Sequence, residues 1–161
     1  MNALTVKTEP PLPRPTSEEP LPKLAGTPGL TLLRRGTPFQ ILPTLSPEEV
    51  EQARAAAREI CASLTPARAD EIAVFYEQLS LHYPQFPRSS AESRMVVENW
   101  LEDLADYPAD LIAEACRRWR RSAEKFFPSP GQLLKHIEPM LKHRQALQRR
   151  AVDFLVQSGG L

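Results

Sequence analysis

Cysteine and glycine are both scarce in this chain, and their scarcity narrows the chemistry it can carry. Only two of its 161 residues are cysteine, Cys61 and Cys116, which is too few for a disulfide framework or a zinc site. Its six glycines form no glycine-rich phosphate loop. No candidate general base accompanies a plausible nucleophile, so we expect a non-enzymatic protein without a cofactor.

Long apolar runs are missing as well. No stretch of about 18 apolar residues occurs, which argues against a membrane-spanning helix. The first residues, MNALTVKTEPPLPRP, lack the charged-then-apolar layout of a secretory signal. These features predict a cytoplasmic protein with no membrane partner.

A formal net charge of zero hides an uneven distribution of charge. Residues 1–45 have a net charge of +2. Residues 46–110 carry five basic against 13 acidic residues, whereas residues 111–161 carry ten basic against four acidic. Such asymmetry bears on partners rather than on the fold. The chain is therefore bipolar, with an acidic middle and a basic end.

Proline is concentrated at the start of the chain. Ten of the 17 prolines lie in residues 1–47, where aromatic residues are few. Such segments favour extended conformations and bury too little apolar surface to offset the entropy of ordering. We therefore expect residues 1–45 to form a largely disordered arm. Within it, Phe39, Ile41 and Leu42 should either rest on the folded domain or form a short motif that orders on a partner.

From residue 46 onwards, capping signals and apolar periodicity predict an all-α fold, a small bundle of about five helices. The predicted starts are Ser46-Pro47, Thr65-Pro66, Ser89, Pro108 and Ser129-Pro130. The bundle should span residues 46–156, with residues 157–161 frayed. The short connection at residues 107–108 predicts that the third and fourth helices are antiparallel neighbours. Pro139 should kink or split the fifth helix.

The densest basic run, RRWRR at residues 117–121, is the main candidate binding surface. Its guanidinium groups could contact phosphates or an acidic protein face, or could simply be hydrated. Four-residue spacing predicts that Glu114 pairs with Arg118 and that Arg120 pairs with Glu124. Arg117 and Arg121 would then be uncompensated, with Lys125 one turn further on. Trp119 is expected to point inward. The predicted partner-binding residues are Arg117, Arg118, Arg120, Arg121, Lys125 and Phe127.

Phe127 belongs to the junction Phe126-Phe127-Pro128, which has two interpretations. The phenylalanines can fill the space between the fourth and fifth helices. Alternatively, a partly exposed Phe127 beside the arginines can anchor a protein interface, because aromatic and arginine hot spots cluster.

Three carboxylates, Glu98, Glu102 and Asp106, recur every four residues on the outer side of the third helix. Such ridges are usually hydrated, and a divalent metal is a poor fit. A further hypothesis is that this ridge docks on the basic fourth helix of another copy, which predicts self-association that weakens with salt.

Four segments in a fixed order resemble the folded domain of the phage replicative-helicase loader/inhibitor family. They are FYEQLSLHYP (75–84), NWLEDLADYP (99–108), the basic helix ending in RRWRRS, and KFFPSPGQLL (125–134). The matching positions are Tyr83, Pro84, Trp100, Leu104, Asp106, Tyr107, Ala115, Trp119, Phe126 and Pro128. The resemblance spans about 40% of the chain, roughly residues 70–135.

The resemblance implies a small helical bundle that acts in replication. In that family a disordered C-terminal tail engages the hexameric helicase, whereas here the predicted disorder lies at the N-terminus. We therefore expect a phage or prophage-type replication accessory protein that binds a replicative helicase and modulates its loading. The alternatives are a DNA-binding regulator that uses the basic helix and a structural adaptor bundle.

Overall fold

The computed structural model describes residues 29–36, 38–83 and 89–160, and every regular element in these ranges is helical. The elements are α1 (Leu30–Arg35), α2 (Pro38–Ile41), a 3-10 turn (Leu42–Thr44), α3 (Pro47–Ala62), α4 (Ala69–Ser80), α5 (Ser90–Leu104), α6 (Ala109–Arg121) and α7 (Pro130–Gln157). Helices α3 to α7 are the five predicted ones, so the all-α fold is confirmed.

Helix α7 is the centre of the bundle. It packs mainly against α3 and α6, and α1, α2 and α5 also touch it. Helix α4 lies against both α5 and α6, which share almost no contact with each other. The prediction that α5 and α6 are neighbours was therefore wrong. Their short connection is instead tied to the start of α4, because the Ala67 N–H donates to the Tyr107 carbonyl at 2.8 Å.

Two short helices occupy a segment that the proline content had assigned to the disordered arm. Residues 1–28 of that arm lie outside the described ranges. From Gly29 onwards the structure differs from the prediction, since Leu30, Leu32 and Leu33 of α1 are buried in the core. The folded domain therefore begins before residue 46.

The expectation that the end of the arm rests on the domain is confirmed where the structure describes it. Ile41 is buried and Leu42 is half-buried against the core. The side chain of Phe39 lies outside the described part of the chain.

Small side chains on α3 explain how α1 comes so close. Ala53, Ala56 and Ala57 are fully buried, so neighbouring backbones can approach the helix. Gly29, at the start of α1, has φ of 82°, and a Cβ there would lie 2.3 Å from the Gln52 carbonyl oxygen. Glycine is thus required at this contact for both backbone conformation and space.

Local capping determines most of the helix starts. The Ser46 hydroxyl accepts from the Glu49 N–H at 3.3 Å, and the Glu49 carboxylate accepts from the Ser46 N–H at 2.9 Å, as predicted. The predicted start at Thr65 was wrong, because the Thr65 hydroxyl donates to the Ala62 carbonyl at the end of α3. Helix α4 begins four residues later, after Arg68.

A buried ion pair joins three helices. Arg144 of α7 is fully buried, and its guanidinium contacts the Asp110 carboxylate at 2.9 and 2.7 Å in a bidentate arrangement. Its Nη1 also donates to the Ser63 carbonyl at 2.7 Å, at the end of α3. No local pattern in the sequence indicates this link between α3, α6 and α7.

Helix α7 continues through Pro139 without a break, so the predicted split does not occur. Pro139 is exposed, where water can satisfy the carbonyl left without an N–H partner. None of the helices in the described ranges combines the length and apolarity needed to cross a membrane.

The predicted fraying of residues 157–161 also differs from the structure. The Arg54 guanidinium of α3 donates to the Ser158 hydroxyl at 3.1 Å and to the Ser158 carbonyl. Gly159, with φ of 68°, turns the chain so that the Gly160 N–H donates to the Leu155 carbonyl at 2.8 Å. Residues up to 160 are thus attached to the bundle.

Candidate functional site

The candidate site lies where α6 ends and the chain turns towards α7. The inner face of α6 is buried, including Cys116 and Trp119, so its arginines point away from the core. Burial raises the pKa of the Cys116 thiol to about 12, despite the opposing charge of Arg120, so this thiol is inert at neutral pH. The site can therefore act through charge and contact, not through thiol chemistry.

Glu114 neutralises two of the four arginines. Its carboxylate accepts from Arg117 Nε at 2.5 Å and from Arg118 Nε at 2.9 Å. Burial favours the protonated acid, but the two arginine bonds outweigh it and lower the pKa of Glu114. The predicted pair with Arg118 is confirmed, whereas the prediction that Arg117 is uncompensated was wrong.

Arg120 and Arg121 are exposed and form no ion pair with any residue in the described ranges. The predicted pair of Arg120 with Glu124 is absent because α6 ends at Arg121. The backbone at Ser122 is extended, with ψ of 170°, so Glu124 does not lie on the next helical turn. The last turn of α6 is therefore more strongly basic than four-residue spacing had predicted.

A shallow cleft of about 430 Å³ adjoins Arg120. It is lined by His82, Tyr83, Arg120, Glu124 and Lys125, which join the end of α4 to the turn after α6. Burial raises the pKa of the Tyr83 hydroxyl. The cleft thus places Arg120 and Lys125 beside the Tyr83 ring, with the Glu124 carboxylate in the same lining.

The two phenylalanines after α6 have different surroundings. Phe127 is half-buried, and its ring lies 5.2 Å from that of Tyr76, 5.4 Å from Trp100 and 6.2 Å from Tyr83. The structure thus places Phe127 in an aromatic cluster between helices. Phe126 is 63% exposed, and its carbonyl accepts from Trp119 Nε1 at 3.1 Å. The exposed aromatic side chain at this junction is Phe126, not Phe127.

The structure therefore brings together part of the predicted site. We define the basic surface as Arg120, Arg121, Lys125 and Phe126. Arg117 and Arg118 lie one turn away, held by Glu114, and Phe127 anchors the turn from beneath. Phe126 was named as part of the junction and of the family resemblance but not as a partner-binding residue, since the pattern could not show which phenylalanine faces inward.

A second exposed surface lies on α5 and the turn that follows it. Glu98 and Glu102 of α5 and Asp106 of the turn are exposed, as the periodicity predicted, and Met95 of α5 is 63% exposed. We call these four residues the acidic face. Within the described ranges, no group of three His, Cys, Asp or Glu residues is placed to hold a metal ion.

Comparisons with known proteins find no matching family model, no matching curated protein and no matching solved structure. The resemblance to the phage helicase loader/inhibitor family therefore stays a prediction.

Proposed function

We propose that this chain is a non-enzymatic, phage-type replication accessory protein that binds a replicative helicase and modulates its loading or activity. The observation that carries the proposal is the basic surface, where Arg120 and Arg121, which form no ion pair within the described ranges, share one short segment with the exposed ring of Phe126. Arginine and aromatic side chains are enriched among the residues that dominate protein interfaces. The helicase itself is suggested by the sequence resemblance.

The basic surface is also held in place before any partner arrives. The Trp119 indole fixes the Phe126 carbonyl, and Phe127 is wedged against Tyr76 and Trp100. A turn that is already ordered loses little conformational entropy on binding. This favours a surface that docks on a partner over one that is merely hydrated.

Charge distribution favours a protein partner over DNA. Glu114 occupies two of the four α6 arginines, which leaves Arg120 and Arg121 for phosphates. About two phosphate contacts would give a log–log salt slope of only about −2 for duplex DNA. An aromatic anchor beside a few cations matches the composition of a protein interface more closely.

The test is capture of the purified replicative helicase of the same host by this chain, with helicase ATPase and unwinding rates measured in parallel. We expect a complex at micromolar concentration and a changed rate. Arg120→Glu with Arg121→Glu should abolish both effects, and Phe126→Ala should weaken them at least about tenfold, as for an interface anchor. No complex, together with unchanged rates, refutes the proposal.

A matched control reverses two other exposed arginines, Arg149 and Arg150 of α7. This control has the same net charge as the α6 double variant, so its helicase binding should remain normal. If duplex DNA binds with a steep salt slope and the α6 variant abolishes that binding, the DNA-binding regulator is the correct function. If only deletion of residues 1–28 abolishes helicase binding, the adaptor alternative is favoured.

A further inference from the structure

Two exposed surfaces of opposite charge each surround one large exposed apolar side chain. The basic surface carries Phe126, and the acidic face carries Met95, each 63% exposed. Glu98, Glu102 and Asp106 form no ion pair within the described ranges, and neither do Arg120 and Arg121. The two surfaces are therefore complementary in both charge and apolar content.

These surfaces cannot meet within one molecule. Phe127, next to Phe126, packs on the ring of Trp100, which is the inward side of α5. At about 100° per residue, Met95, Glu98 and Glu102 lie roughly opposite Trp100 on that helix. The acidic face therefore points away from the turn that carries the basic surface, and only another molecule can bring the two together.

We propose that the basic surface of one copy binds the acidic face of a second copy. Glu98 and Glu102 lie one helical turn apart, about 6 Å along the axis, and present adjacent carboxylates to Arg120 and Arg121. The Met95 thioether then contacts the Phe126 ring, a favourable sulfur–aromatic contact. The cleft beside Arg120 gives the second copy a recess rather than a flat surface.

This contact has a consequence for regulation. Different patches of the two copies meet, so each copy keeps one surface available unless the assembly closes on itself. A basic surface covered by a second copy is closed to any other acidic partner. Self-association thus competes with the proposed helicase contact, although the inference itself does not depend on a helicase.

The test is the oligomeric state of the full chain, measured by sedimentation velocity over a range of concentrations. At low ionic strength we expect the average mass to rise with concentration. Near 1 M salt, where the Debye length is about 3 Å, we expect a monomer. Glu98→Lys with Glu102→Lys should be monomeric at all concentrations, and so should Arg120→Glu with Arg121→Glu.

Mixing the two charge-reversal variants provides the decisive measurement. The mixture should associate again, because each variant keeps the surface that its partner needs. The matched control for the acidic face reverses Glu138 and Asp153, two exposed carboxylates of α7, and should associate like the wild type. A wild-type monomer at low ionic strength refutes the proposal, as does a mixture that stays monomeric.

One further readout separates this inference from the helicase proposal. The variant of Glu98 and Glu102 keeps the basic surface, so it should capture the helicase at least as tightly as the wild type while failing to self-associate. If no variant captures the helicase but the mixture still associates, only the helicase proposal fails. If the helicase is captured and the wild type is monomeric, only the self-association fails.

Discussion

Replacing Asp110 with asparagine should be among the most damaging single-atom changes in this protein. The Asp110 carboxylate receives two hydrogen bonds from Arg144, whose side chain is fully buried. Asparagine keeps the shape but removes the charge, which leaves a guanidinium ion in the interior without a counter-ion. Breaking a buried pair in this way costs about 3–5 kcal/mol, and the isosteric amide should lie near the lower end.

This loss is large against the stability of a small domain. Domains of this size unfold with about 5–15 kcal/mol, so about 3 kcal/mol removes a fifth or more of the total. With an unfolding entropy of about 2.1 cal/mol/K per residue over roughly 125 residues, Tm should fall by about 10 °C. Urea unfolding followed by circular dichroism measures the free energy, and calorimetry measures Tm.

A double-mutant cycle tests the reasoning behind that number. Arg144→Met alone removes the buried charge but also deprives the Ser63 carbonyl of its donor. Combined with Asp110→Asn, it should cost clearly less than the sum of the two single changes, with a coupling of at least about 2 kcal/mol. Asp153→Asn, at an exposed site on α7, should be neutral. Additive costs, or a cost below about 1 kcal/mol for Asp110→Asn, would refute the argument.

Three other changes test separate parts of the structure. Gly29→Ala should lower the free energy of unfolding by about 1–3 kcal/mol and increase hydrogen exchange in α1, because the added Cβ would overlap the α3 backbone. The control Gly131→Ala should be neutral, because there is open space around Gly131. Glu114→Gln should cost about 1 kcal/mol at neutral pH. Folding lowers the pKa of Glu114 from its ordinary 4.5, so the extra stability of the wild type over Glu114→Gln should be complete above pH 4.5 and disappear on further acidification. A stability difference that grew in acid would contradict this expectation. Phe127→Ala should lower the free energy of unfolding in urea by about 3 kcal/mol, and Phe126→Ala should lower it by less than about 0.5 kcal/mol. Equal losses would show that the inward and outward positions of the two side chains have been misassigned.

The long helices were predictable because their signals are local. The Ser46–Glu49 and Ser89–Glu92 capping boxes are closed by atoms three residues apart, so the sequence contains both partners. Thr65 shows the limit of that approach. Its hydroxyl can serve the start of one helix or the end of another, and the choice depends on where α3 stops.

The short N-terminal helix was not predictable from composition. Six residues, LTLLRR, follow a proline-rich segment, and an isolated helix of that length is unstable in water. What stabilises α1 is burial of Leu30, Leu32 and Leu33 against α3 and α7. The small side chains of α3 let α1 approach closely, but nothing in the sequence pairs these two helices.

The site was predicted in part for a related reason. The four-residue spacing predicted that Glu114 pairs with Arg118 alone. A carboxylate has two oxygens, however, so Glu114 can bind Arg117 and Arg118, three and four residues away, at the same time. The predicted pair of Arg120 and Glu124 does not form, because it required α6 to continue beyond Arg121. The first outcome depends on side-chain geometry and the second on where a helix ends, and residue spacing alone determines neither.

Separate residues in one short segment hold the turn in place and form the proposed binding surface. Trp119 and Phe127 face inward and fix the turn, and Arg120 and Phe126, their immediate neighbours, face outward. Since neighbouring residues of this segment face the core and the solvent in turn, substitutions can change the charge or the aromatic anchor of the surface without loss of core packing. Conversely, loss of Phe127 would displace the surface even though this side chain need not touch a partner. Binding defects at this segment therefore have to be compared with unfolding free energies before any residue is assigned to the interface.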